Sequence, residues 1–186
     1  MRIVAGRWAG RDLTSPGGRV RPTAEPVRDR CISLLEKDLK GARVLEIYAG
    51  TGALGLEALS RGARSVDFVE NGASALHSLK ANVAALRVRK RTRIFKRDAL
   101  PFIDRLDRHA YDIALADPPY RSRQPDRVVE QWLRTRFSRI LVVQHAADHP
   151  LPGRGKRHVL GDSALTIFRS RPPRRKSRPG HGPARG

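Results

Sequence analysis

An α/β fold built on a mostly parallel seven-stranded sheet, with helices on both faces and a small N-terminal β-hairpin extension, is what the sequence predicts. From residue 43 onward short apolar runs alternate with segments whose apolar residues recur at helical spacing. Strands alternating with helices imply right-handed crossovers and a parallel sheet covered on both faces. The first strand-to-helix junction carries Gly50, Gly52 and Gly55, the spacing of a ligand-binding turn. The last two apolar runs, 158–160 and 165–169, are joined through Gly161 and Asp162 and read as a closing antiparallel pair.

Taken in order, residues 1–13 alternate small apolar groups with Arg and Gly, which predicts a hairpin outside the main sheet. Proline and glycine punctuate 15–26, and a short helix follows at 27–36 with Cys31, Leu34 and Leu35 on its inner face. Buried strands are expected at 44–47, 66–70, 94–96, 113–116 and 140–144. Helices at 53–61, 73–86, near 101–106 and at 128–134 fall between them; in the second, Leu76, Leu79, Val83 and Leu86 recur at steps of three and four. Segment 171–186 holds six basic residues and no acid among Pro and Gly, so it cannot bury a core and is expected to be disordered. The organisation predicted is an extension at 1–40, a main domain at 41–170 and a basic tail at 171–186.

With 186 residues and 39% hydrophobic content, the chain supports one α/β domain with short appendages. The formal net charge is +20, and 31 of the 38 basic residues are Arg. Guanidinium forks match phosphate geometry, so a polyanionic partner is favoured over a merely solvated surface. Without the tail the charge is still +14, so the basic character belongs to the folded part as well. Cys31 is the single cysteine, which excludes a disulfide framework and a Cys-based zinc site. Its apolar neighbours mark it as a buried hydrophobe rather than a nucleophile. The six histidines lack ligand spacing, and no metal is expected. No signal-peptide core and no run of membrane-spanning length is present, so a reducing, cytoplasmic setting is expected. Residues 87–97 include seven basic residues and no acid, either a solvated loop or an RNA contact. Trp8 and Trp132 read as core residues rather than base-stacking platforms, although Trp8, beside Arg7 and Arg11, also has the pattern of an exposed aromatic.

Two cofactor classes compete for the turn Glu46-Ile-Tyr-Ala-Gly50-Thr-Gly52-Ala-Leu-Gly55. Glu70, twenty residues after Gly50, suits a dinucleotide fingerprint. Glu46 tilts the choice, because an acid before the first glycine repels a pyrophosphate but favours the amino group and sulfonium of S-adenosylmethionine. Glu70 can then accept from both ribose hydroxyls, and Asp98 can meet the adenine amine. Any one of these acids could be a solvent-facing strand end; three at successive strand ends argue for a site.

Directly after the fourth strand stand Asp117, Pro118, Pro119 and Tyr120. The prolines donate no N–H and fix φ, so this loop is stiff and rich in carbonyl acceptors. An exocyclic base amine needs such acceptors. Held by an ionised Asp117 and by the Pro118 carbonyl, it would aim its lone pair at a methyl donor, with near-attack alignment and exclusion of water supplying most of the rate. Tyr120 could stack on a splayed-out base, a contact worth roughly 1–3 kcal/mol.

These motifs make the chain resemble the RsmD-type guanine-N2 methyltransferases of small-subunit (16S) ribosomal RNA, which have a Rossmann-like class I methyltransferase fold. The resemblance runs over about residues 1–170: Arg2-Ile-Val-Ala-Gly-Arg-Trp-Ala-Gly-Arg11, Arg21-Pro-Thr23 with Val27-Arg28, the glycine turn and its helix, Phe68-Val-Glu70, Asp98-Ala99, Asp117-Pro-Pro-Tyr120 and Gly161-Asp-Ser-Ala-Leu-Thr166. Pro26, Asn71-Gly72 and Gln144-His145 depart from the family pattern. The resemblance implies S-adenosylmethionine contacts at Glu46, Tyr48, Gly50, Gly52, Glu70, Asn71, Asp98 and Ala99. It implies catalysis at Asp117, Pro118, Pro119 and Tyr120, and RNA contacts at Arg7, Arg11, Arg21, Arg28 and Arg121. The partner implied is 16S rRNA in the small ribosomal subunit or an assembly intermediate, met by a monomer. A DNA adenine-N6 or cytosine-N4 methyltransferase competes through the same Asp-Pro-Pro-Tyr loop, but the chain lacks a sizeable target-recognition domain. An inactive RNA-binding assembly factor competes as well, against which stand Glu46, Glu70, Asp98 and Asp117, all in place. A nicotinamide oxidoreductase would leave the Asp-Pro-Pro-Tyr loop unexplained.

Overall fold

The computed structural model describes residues 1–15, 24–119 and 122–170. Arg21, Tyr120, Arg121 and the basic tail expected at 171–186 lie outside the described residues.

Seven strands form one sheet: β1 (Arg43–Ile47), β2 (Ser65–Glu70), β3 (Thr92–Lys96), β4 (Tyr111–Ala116), β5 (Ser138–Ala146), β6 (Lys156–Leu160) and β7 (Ser163–Arg169). Their order is β3-β2-β1-β4-β5-β7-β6, and the first five run parallel. β7 is antiparallel to both β5 and β6, so the closing pair sits with its second strand inside the sheet. The strand order reverses between β1 and β4, and at such a switch point the connections leave in opposite directions and open a crevice at the carboxyl ends.

The apolar runs of β1 and β4 are buried on both faces, as a parallel sheet covered on both sides requires. One core cluster packs beneath α1 (Glu25–Ser33), α3 (Ala53–Ser60) and α4 (Ala73–Ala85), the other beneath α5 (Ala99–Ile103) and α6 (Gln124–Thr135). Leu79, Val83 and Leu86 do face the first core, and Trp132 fills the second, its indole N–H donating to the Ser138 carbonyl. Among the described residues no helix is long and apolar enough to cross a membrane.

Several local expectations change: α5 ends at Ile103 rather than near 106, α6 begins at Gln124 rather than Val128, and two further differences concern the N-terminal part. The helix expected at 27–36 starts two residues earlier, with Pro26 in its first turn, and stops at Ser33; a separate short turn, α2 (Glu36–Leu39), follows. Proline at the first helical positions loses no hydrogen bond that the helix could have made, which explains the earlier start. The N-terminal hairpin is closed by a single bridge, Arg2 to Asp12, rather than by a two-stranded ribbon. Backbone bonds from Ile3 N–H to the Arg11 carbonyl, Gly10 N–H to Ile3 and Leu13 N–H to Met1 tie its arms, and α3 anchors it: the N–H groups of Val4 and Ala5 donate to the Glu57 carboxylate at 2.8 and 2.9 Å, and that of Arg7 donates to the Ser60 carbonyl.

Candidate active site

Between β1 and α3 the backbone coils through three left-handed residues, Tyr48 (φ 56°), Gly50 (φ 56°) and Gly52 (φ 75°). Glycine bears this conformation cheaply, whereas Tyr48 carries the strain of a side chain there. The Tyr48 hydroxyl is anchored, donating to Gln124 Oε1 at 2.6 Å. The glycines serve different ends. A Cβ at Gly52 would run into Leu79, and one at Gly55 would stand 2.6 Å from Glu46 Oε2 and 2.7 Å from both Phe68 and Val66, so these two allow the turn to pack on the sheet. A Cβ at Gly50 would meet no atom within 4 Å, so on that side a ligand can reach the backbone.

Glu46 is buried behind this turn, and its Oε2 accepts the Gly55 N–H at 2.8 Å, one of the first-turn donors of α3 that have no partner within the helix. Burial pushes its carboxyl up to about 8, and the charges of Asp117 and Glu70 act in the same direction against the Gly55 and Leu54 backbone donors. A cation held beside it would draw that value down again. Glu70 faces the turn from the end of β2: Oε2 accepts the Gly50 N–H at 2.7 Å, while Oε1 accepts those of Asn71 and Gly72 at 2.9 and 2.7 Å. The Asn71 amide in turn donates to Asp98 Oδ1.

Tyr48, Glu70, Asn71, Asp98 and Ala99 line one cleft of about 290 Å³, whose lining does not include Glu46, Gly50 or Gly52. The charge pattern and the open backbone at Gly50 fit a cationic cofactor with a ribose. Gln124 and Arg127 of α6 line the same cleft and were not anticipated from the sequence. Their helix starts a few residues after the Asp-Pro-Pro loop, and that proximity was the available signal.

β4 lies beside β1 in parallel register, Ala116 against Ile47, so Asp117, Pro118 and Pro119 leave the same edge as the glycine turn. Asp117 is half-buried, Pro118 buried and Pro119 exposed. The Pro119 carbonyl accepts from the Ser122 hydroxyl at 2.7 Å, and Ser122 Oγ accepts the Gln124 N–H at 3.3 Å, which turns the loop into α6. The Asp117 charge raises the pKa of both Glu46 and Cys31, in keeping with the shared strand-end edge. Cys31 is fully buried there, its thiol pushed up to about 12 chiefly by burial and then by Asp117 and Glu46, so it is inert.

The arginines expected to meet RNA divide. Arg7 and Arg11 are exposed on the hairpin, whereas Arg21 and Arg121, like Tyr120, lie outside the described residues. Arg28 is corrected: it is 0% exposed, its guanidinium 3.8 Å from Glu57 and donating to the Arg2 carbonyl, with burial pulling its pKa down. It stands three and four residues before Cys31 and Ile32 and so shares their inner helical face, a periodicity that the sequence already carried. His145, one of the departures from the family pattern, is also internal. Its ring lies between the Ala146 carbonyl and the Thr166 hydroxyl, and burial lowers its pKa.

Against this geometry, the family model described as conserved hypothetical protein 95 matches residues 1–160. Ribosomal RNA small subunit methyltransferase D of Escherichia coli K12 is 36% identical over 124 residues, which cover 65% of this chain and 61% of that protein. Its namesake in Haemophilus influenzae is 29% identical over 161 residues, 81% of each. A solved structure of a hypothetical protein from Thermus thermophilus superposes with a TM-score of 0.78 at 28% identity, over 91% of this chain and 99% of that one.

Proposed function

The chain belongs to the conserved hypothetical protein 95 family, that of the RsmD-type methyltransferases, and from this premise we propose that it methylates the exocyclic N2 amine of a guanine in 16S ribosomal RNA, using S-adenosylmethionine. The observation that carries this reading is the meeting of the glycine turn and the Asp-Pro-Pro loop at the carboxyl ends of adjacent strands, with Glu46, Glu70 and Asp117 around the gap.

In the cofactor half, Glu70 takes the ribose hydroxyls, Asp98 the adenine amine and Glu46 the cationic end, while the open backbone at Gly50 lets the ligand approach. S-adenosylmethionine, when bound, supplies a methyl group made electrophilic by its sulfonium.

In the target half, the Asp117 carboxylate and the Pro118 carbonyl accept the two hydrogens of the guanine amine. They thereby turn its lone pair, otherwise delocalised into the ring, toward the methyl carbon. With the cofactor bound, the nitrogen would take the methyl carbon as the carbon–sulfur bond breaks, and Asp117 or water would then accept the proton of the acidified nitrogen. Tyr120 stacks on the extruded base. Arg7 and Arg11 contact phosphate from the hairpin extension, and the substrate is met in the cytoplasm within the small subunit or its precursor.

The test offers labelled cofactor with naked 16S RNA, small subunits and duplex DNA, followed by mass spectrometry of the nucleosides. N2-methylguanosine from ribosomal substrate is expected. Label found in DNA alone overturns the reading.

A further inference from the structure

We propose that a basic groove at the amino-terminal edge of the sheet, between the N-terminal hairpin and the end of α4, docks phosphates of the RNA at a distance from the methyl-transfer crevice; this rests on RNA being the substrate. The groove, about 410 Å³, is lined by Arg7, Trp8 and Arg11 on one wall and by Leu86, Arg87 and Arg91 on the other. No carboxylate is among its lining residues, and among the described residues none of these four arginines has an acid within ion-pair distance. Arg91 is instead oriented by donating to the Ala63 and Arg64 carbonyls. Arg89 and Lys90, both exposed, extend the positive surface. A mainly solvated charge cluster in so basic a protein repels itself, and a polyanion relieves that repulsion.

Two further observations point to a ligand. Arg87 sits at φ 56° just past α4, the left-handed position that ends helices and that glycine fills at least cost. Its neighbours hold it there, Arg87 N–H donating to Ala84 and Val88 N–H to Val83. A long cationic side chain is thus carried at a strained position and delivered to the groove. Trp8 is half-buried with the Arg7 guanidinium 5.5 Å from its ring centroid, a π face on which an unpaired base can stack in exchange.

α4 has 13 residues and runs back from the cofactor edge, so the groove lies about 20 Å from the crevice. An RNA that reaches both must be folded or several nucleotides long.

The experiment measures binding of a 16S rRNA transcript against salt, and methyl transfer to small subunits, for the parent and for the triple variant Arg7→Gln, Arg11→Gln, Arg87→Gln. Three lost phosphate contacts should lower the slope of log K against log salt by about 2–3. KM for RNA should rise at least tenfold with kcat kept. A control on the opposite face, Arg105→Gln with Arg108→Gln, should leave KM unchanged. Arg87→Gly separates the groove from a purely structural role: it should raise the melting temperature while weakening RNA binding. Equal KM and equal salt slopes for the triple variant and the parent overturn the groove yet leave RNA methylation standing. A parent that neither binds nor methylates the RNA overturns both.

Discussion

At the carboxyl edge of the sheet Glu46, Glu70 and Asp117 converge on a gap between two loops, whereas at the amino edge Arg7, Arg11, Arg87 and Arg91 face a groove lined by no acid. A chain of formal charge +20 repels a cationic cofactor over most of its surface. Gathering carboxylates where burial weakens solvent screening reverses the field locally, the charge pattern that the proposed cofactor and RNA sites would need at opposite edges. Glu46 is buried, and both it and Glu70 are held by backbone N–H groups, so their geometry is fixed; the arginines are mostly exposed and answer to salt.

The largest effect expected from breaking the acidic edge is at Asp117. Asp117→Ala should lower methyl transfer about 10³-fold, from lost alignment of the amine. Cofactor affinity measured by calorimetry should stay within a few-fold. Turnover close to the parent's would move the chemistry elsewhere.

The glycine turn gives the next test. Gly55→Ala forces a methyl against Glu46, Phe68 and Val66 and should cost about 1–3 kcal/mol of stability, read by thermal melting. Gly50→Ala meets no atom and bears only left-handed strain of about 1–2 kcal/mol, yet should weaken the cofactor about tenfold or more. Equal cofactor affinity in Gly50→Ala and the parent would remove that backbone from the binding site.

The smallest effect is a pH dependence. Because the folded protein holds the Glu46 proton up to about 8, its ligand-free stability should be greatest at low pH through this group and fall as pH rises toward 8. A cationic cofactor favours the ionised form, so its affinity should rise by up to about tenfold per pH unit below 8 and level off above. Glu46→Gln should flatten that profile; a slope unchanged in this variant would assign the proton to another group.

The alternation of strands and helices was legible throughout, because burial of a parallel sheet on both faces writes near-continuous apolar runs into the chain. The structure lengthened several of these at their ends, β5 to Ser138–Ala146 against an expected 140–144. The glycine turn and the Asp-Pro-Pro loop were legible too, since each depends on residue types whose backbone behaviour is intrinsic. Gln124 and Arg127 were not, because they reach the cleft beside Glu70 and Asp98 only through the placement of α6. Arg28 misled for the opposite reason, since charge suggested surface while its pairing with Glu57 keeps it inside.

By itself the sequence determined the fold class, the two loops and the excess of positive charge, all of which follow from local spacing and composition. Only the tertiary structure decided that β4 lies beside β1, that Glu46 is buried enough to hold a proton, and that the 87–91 arginines share a groove with Trp8. Adjacency of distant segments and loss of water around a charge are properties of packing, and no local pattern of residues encodes them.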